Sequence, residues 1–83
     1  MVDAAFYSDL LDKVVRPLLT EPEAFAATVA RHKNAVRVEF KVADTDTGRV
    51  IGRGGATIRA IRSALEFAGE QHDERVAVEL TNA

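Results

Sequence analysis

Between Asp3 and Leu19 the apolar residues Phe6, Leu10, Leu11, Val14, Val15 and Leu18 fall three and four positions apart, with Asp9, Asp12, Lys13 and Arg16 between them. That spacing draws one apolar stripe along a helix whose other face is charged. Pro17 lacks an amide proton and crowds the turn before it, so the helix is expected to kink or finish between Arg16 and Leu19. Thr20-Glu21-Pro22-Glu23 then reads as a loop. From Ala24 to Arg31 the period becomes two, with Phe25, Ala27 and Val29 on one side and Ala26, Thr28 and Ala30 on the other. This predicts a strand, although its alanines have low strand propensity. After a polar turn at His32-Lys33-Asn34, Val36, Val38, Phe40 and Val42 alternate with Arg37, Glu39 and Lys41, the clearest strand pattern in the chain. So short a connection implies an antiparallel hairpin.

Asp44-Thr45-Asp46-Thr47 offers N-cap side chains for a short helix through Arg49, Val50 and Ile51, which Gly52-Arg53-Gly54-Gly55 interrupts. A further helix is predicted from Ala56 to about Gln71, its core stripe formed by Ile58, Ile61, Leu65 and Ala68 and its outer face by Arg59, Arg62, Glu66 and Glu70. Gly69 weakens its last turns and His72-Asp73-Glu74 ends it. Arg75 to Leu80 alternates again, giving a last strand. The expected fold is α+β in the order α-β-β-α-α-β. The strand at Val36 to Val42 is expected to be central, antiparallel to the first and parallel to the last across the helical crossover. The result is a two-layer domain, a three-stranded mixed sheet with three helices on one face.

A chain of 83 residues and 9.0 kDa suits one small domain without a deep cavity. Its lack of cysteine excludes disulfides, thiolate metal sites and a cysteine nucleophile, and suits a reducing cytoplasm. Asp3 and Asp9 stand where a secretory leader would be basic, and no apolar run approaches the ~18 residues of a membrane span. The expected location is therefore cytoplasmic, away from any membrane. The net charge of −2 and pI near 5.6 argue, as averages, against a nucleic-acid partner. The charge is segregated, however: Arg49, Arg53, Arg59 and Arg62 lie between Gly48 and Leu65 with no acidic residue, so that stretch is +4 and the remainder −6.

Four residues between two helices, three of them glycine, make a tight turn whose N–H groups no side chain shields. Opening onto the N-terminus of the following helix, such a turn suits an anionic oxygen. Arg53 at its tip, with Arg49, Arg59 and Arg62 on the flanking turns, adds positive charge. A phosphate-bearing ligand is the natural reading.

The stretch "VIGRGGATI" from Val50 to Ile58 resembles the V-I-G-x-x-G-x-x-I signature of the KH domain. With "TEPE" after the first helix, the short chain and the order of elements, the sequence is similar over nearly its full length to small single-KH bacterial proteins of the KhpA (YlqC) family. The resemblance implies the type II KH arrangement in a single domain spanning 1–83, with an N-terminal helix at about 3–19 and a KH core at about 24–81. It also implies binding of single-stranded RNA, the loop clamping about four backbone nucleotides. Carried over by position, the clamp is Gly52, Arg53, Gly54 and Gly55, while Val50, Ile51 and Ile58 brace the helices and floor the groove. Arg59 and Arg62 lie outside the motif, and their role toward phosphate rests on charge alone. Gly54 stands where similar sequences often carry a polar residue, which predicts a looser loop, and Ala56 stands where they are often basic. The resemblance further implies an RNA chaperone or post-transcriptional regulator that pairs with itself or with a larger multidomain KH protein.

Two other readings compete. A nucleotide-binding enzyme would share the glycines, but Thr57 stands where the dinucleotide fingerprint needs its third glycine, and no strand directly precedes the turn. His32 and His72 sit in expected turns, and no nucleophile–base pair or metal-ligand spacing is present, so no catalytic residue, cofactor or metal is expected. A protein-interaction subunit is the other reading. Ala56, Ala60, Ala64 and Phe67 form a small-residue stripe that reads first as core packing against the first helix and second as a face for a partner helix.

Overall fold

The computed structural model describes residues 2–82, so the outermost positions of the expected 1–83 domain lie outside the described residues. Helix α1 spans Ala4–Val15, and the Asp3 carboxylate starts it by accepting from the Ala5 N–H at 2.9 Å. Its α-helical hydrogen bonding stops at the proline: Arg16–Leu18 form one 3₁₀ turn. Strands β1 (Ala26–His32) and β2 (Ala35–Lys41) pair antiparallel, from Ala26 opposite Lys41 to His32 opposite Ala35. Helices α2 (Thr47–Ile51) and α3 (Ala56–Glu70) flank the glycine loop, and β3 (Arg75–Leu80) pairs parallel with β2. The sheet order β1-β2-β3 puts β2 in the centre, as the alternation predicts.

The core lies on one face of this sheet. Val36, Val38 and Phe40 of β2 and Val76, Val78 and Leu80 of β3 are buried against Tyr7, Leu11 and Val15 of α1 and Ile58, Ile61 and Leu65 of α3. The helices α1 and α3 touch both the strands and each other, and α2 packs on α3 through its fully buried Val50. Gly69 is what lets the end of α3 approach β3. A Cβ there would lie 2.5 Å from Val76 Cγ2 and 2.8 Å from the Glu74 carbonyl.

Several expectations are corrected. The first strand begins at Ala26 rather than Ala24, because Pro22–Ala24 close a 3₁₀ turn within the segment read as loop and strand. His32 belongs to β1, leaving Lys33 and Asn34 as the hairpin turn, with Lys33 at φ 56°. The Asp44–Thr47 segment supplies no side-chain cap to α2. The Ala56, Ala60, Ala64 and Phe67 stripe does not pack in the core: all four are exposed, Phe67 at 62%. The reason is geometric, since the centre of this stripe lies more than a third of a turn round α3 from the centre of the buried Ile58, Ile61 and Leu65.

A buried polar cluster ties the N-terminal helix to the sheet. The Tyr7 hydroxyl donates to Glu74 Oε1 at 2.6 Å, Arg31 pairs with the same carboxylate, and Arg31 Nη2 donates to the Val2 carbonyl at 2.6 Å. Burial pushes the Tyr7 hydroxyl pKa up, against the pull of the Arg31 charge.

Candidate nucleic-acid interface

Helix α2 ends where Gly52 takes φ 75° and ψ 174°, its N–H still donating to the Gly48 carbonyl at 2.9 Å. Gly54 and Gly55 follow at φ 60° and φ 80°, both in the left-handed region that side chains disfavour. Gly52 has a second constraint: a Cβ there would meet Thr57 Oγ1 at 2.2 Å. The Gly55 N–H donates to the Gly52 carbonyl at 3.1 Å and the Ala56 N–H to the Arg53 carbonyl, which closes the turn directly onto α3. Among the described residues, the amides of Arg53 and Gly54 have no backbone acceptor. Successive open N–H groups in such a turn form an anion-binding nest, here at the positive end of a 15-residue helix.

The four predicted arginines do different things. Arg53 is exposed at the loop tip, and its side chain makes no hydrogen bond or ion pair among the described residues. Arg49 is also exposed, with Nε 3.7 Å from Asp46 Oδ1. Arg59 is folded back, Nη1 donating to the Gly54 carbonyl at 2.7 Å. Arg62 reaches the sheet, Nε donating to the Val78 carbonyl at 3.2 Å. The Arg75 N–H bonds to Asn34 and the Thr81 N–H to Phe40, so odd-numbered residues of β3 face β2 and the backbone of Val76, Val78 and Leu80 faces outward. Arg62 therefore bridges α3 and the outer edge of β3. Ile51 is half-buried against the core and Ile58 is 7% exposed, so both brace the helices and only Ile51 offers much surface.

Asp46 is a residue that charge patterning reads only as a cap. Its carboxylate is fully buried and accepts from the Thr20 N–H at 3.0 Å, the Thr20 hydroxyl at 2.7 Å and the Glu21 N–H at 3.0 Å. The Thr20 N–H, its hydroxyl, the Glu21 N–H and Arg49 together hold the Asp46 pKa below the usual aspartate value, outweighing the cost of desolvation. This fastens the α1–β1 connection to the start of α2, and so to the base of the glycine loop. Its only sequence signal is the "TEPE…DTD" combination, which does not reveal the pairing.

A surface depression of about 490 Å³ lies at the other end of α3, and its lining includes Glu66, Glu70, Asp73 and Glu74 with Arg75 as its one cation, a net negative charge that disfavours an anion. No group of three or more histidine, aspartate or glutamate side chains among the described residues is placed to hold a metal ion. Among them, too, no helix is long and apolar enough to cross a membrane.

A tight glycine turn between two helices, braced on a three-stranded sheet, defines the class of KH domains, and comparison with known proteins agrees. The KhpA/KhpB KH-domain family model matches residues 8–80. The chain is 33% identical to the RNA-binding protein KhpA of Bacillus subtilis over 72 residues, which cover 87% of this chain and 89% of the relative. It is 31% identical to that of Clostridium acetobutylicum, over 86% of this chain and 95% of the relative. The KhpA of Chlamydia pneumoniae is 29% identical, over 87% and 92% respectively. The chain belongs to the KhpA/KhpB family of KH proteins, a family of binding proteins and not of enzymes.

Proposed function

We propose that this protein binds single-stranded RNA by clamping its sugar-phosphate backbone at Gly52, Arg53, Gly54 and Gly55. The observation that carries the reading is the pair of open amides at Arg53 and Gly54, beside an unengaged Arg53 guanidinium and at the start of α3. Arg49 adds charge on the α2 side. The half-exposed Ile51 and the outer edge of β3 bound the surface on which bases would lie. Backbone clamping positions RNA without reading its sequence. The similarity to proteins named RNA-binding supports the ligand class, and with the family resemblance it is the basis for proposing a cytoplasmic role as RNA chaperone or post-transcriptional regulator.

The test is a titration of short fluorescein-labelled single-stranded RNA of mixed sequence at several salt concentrations. With about three phosphates engaged, log affinity falls with log salt at a slope of roughly −2. Binding that ignores salt, or none at low salt, overturns the proposal.

A second reading, pairing through α3, is favoured by the exposed stripe. Phe67 stands 62% exposed beside Ala60 and Ala64, which allow close approach. The outer face of α3 is basic at Arg59 and Arg62 and acidic at Glu66 and Glu70, so an antiparallel copy, or a related helix of a larger KH protein, meets opposite charges. Sedimentation of the wild type is expected to show concentration-dependent dimers that Phe67→Asp abolishes. A wild type that stays monomeric to high micromolar concentration removes the self-pairing.

A further inference from the structure

We propose that Arg59 is a positioning residue that holds the glycine loop in its binding shape, supplying from α3 the order that no side chain at residue 54 provides. The inference rests on the RNA-binding reading above for its consequence, but not for its geometry. A Cβ added at Gly54 would meet nothing within 4 Å, so packing does not restrain that residue. With three glycines at positive φ in four positions, the loop has unusual freedom to lose when it closes on a ligand.

Two hydrogen bonds counter that freedom, and both fall on one peptide unit. The carbonyl of Gly54 and the N–H of Gly55 belong to the same amide plane. Arg59 Nη1 holds the carbonyl at 2.7 Å and the Gly52 carbonyl holds the N–H at 3.1 Å. Rotating that plane breaks both at once. Arg59 is rooted in the first turns of a 15-residue helix, so its end of the restraint is firm, and a bond from a charged donor is stronger than a neutral one. The same Nη1 lies 3.0 Å from where a Cβ on Gly55 would stand, so the guanidinium rests against both glycines. Held this way, the turn keeps the Arg53 and Gly54 amides open. Arg59 thus acts on RNA through the loop, while Arg53 is left to meet phosphate.

The experiment has one arm without RNA and one with it. In the free protein, Arg59→Ala is expected to lower the NMR order parameters of the Gly54 and Gly55 amides from about 0.85 to below about 0.6. Arg53→Ala is expected to leave them unchanged, and Arg59→Lys, which keeps a charged donor, to restore part of the order. With the labelled RNA, Arg59→Ala is expected to weaken binding three- to tenfold by the same factor at every salt concentration. The log–log line then shifts but keeps its slope. A slope shallower by about 0.7, with amide order unchanged, makes Arg59 an ordinary phosphate contact and overturns the proposal. Unchanged order and affinity overturn it as well. If the wild type binds no RNA, the proposed function fails, and the amide order alone decides whether Arg59 holds the loop.

Discussion

Replacing Arg53 and Gly54 together by aspartate is expected to weaken binding of single-stranded RNA thirty- to hundredfold at moderate salt and to flatten its salt dependence. The change removes the one arginine of the loop without a partner and adds two carboxylates beside the open amides. Unit charges about 4 Å apart interact by about 1 kcal/mol in water, so the lost contact and two new repulsions together amount to roughly 2–3 kcal/mol. The fold is expected to tolerate both. Each residue is exposed, aspartate enters the left-handed region more readily than most side chains, and Arg59 bonds to the backbone carbonyl of residue 54, which survives the change. A melting temperature within a few degrees of wild type, with the salt slope reduced from roughly −2 toward −1, is the expected pair of results. Wild-type affinity in the double variant refutes the clamp.

Asp46→Asn is expected to have the largest effect on stability, lowering the melting temperature by on the order of 10 °C at pH 7. The variant keeps the side-chain volume but turns an acceptor of three donors into a group whose own N–H₂ opposes one of them. The pH dependence identifies the cause. The folded-state pKa of Asp46 is depressed below the ordinary 3.8, so its contribution is complete above that value and is lost as pH falls through the lower one. The gap between wild type and variant is therefore expected to stay constant from pH 7 to about 5 and to narrow below about 4. Scanning calorimetry across that range checks this, and a gap that persists at pH 3 assigns the effect to shape rather than charge. Other carboxylates with depressed pKa, such as Asp12 beside Arg16 and Glu79 beside Arg37, titrate in both proteins and cancel.

β2 and β3 are legible in the sequence because valine, phenylalanine and leucine alternate with mostly charged residues, and a half-buried strand needs that pattern. β1 was blurred because alanine suits either face, and because Pro22 tightens the chain before it. The glycine loop was legible as a motif because positive φ at three of four positions leaves little choice of residue. The arginines were legible as charge but not as contacts. That Arg59 and Arg62 reach the backbone carbonyls of Gly54 and Val78 depends on how α3 lies over its neighbours. Asp46 was least legible, since its partners lie 25 and 26 positions earlier and nothing local marks a buried carboxylate. The alanine stripe was misread because small residues at helical spacing fit a core as well as a surface, and only the position of α1 separates the two.

The cluster of Tyr7, Arg31 and Glu74 has a consequence for the order of events during synthesis. Its hydroxyl and carboxylate are separated by 67 positions, almost the whole length of the chain. Until the residues just before β3 emerge, Arg31 has no counter-charge and α1 has no anchor on the sheet. A growing chain can form helices and the β1–β2 hairpin, but the closure of α1 onto the sheet waits for Glu74 and β3. The glycine loop, whose helix α3 leads into that last strand, thus settles only after the residues of β3 have been made.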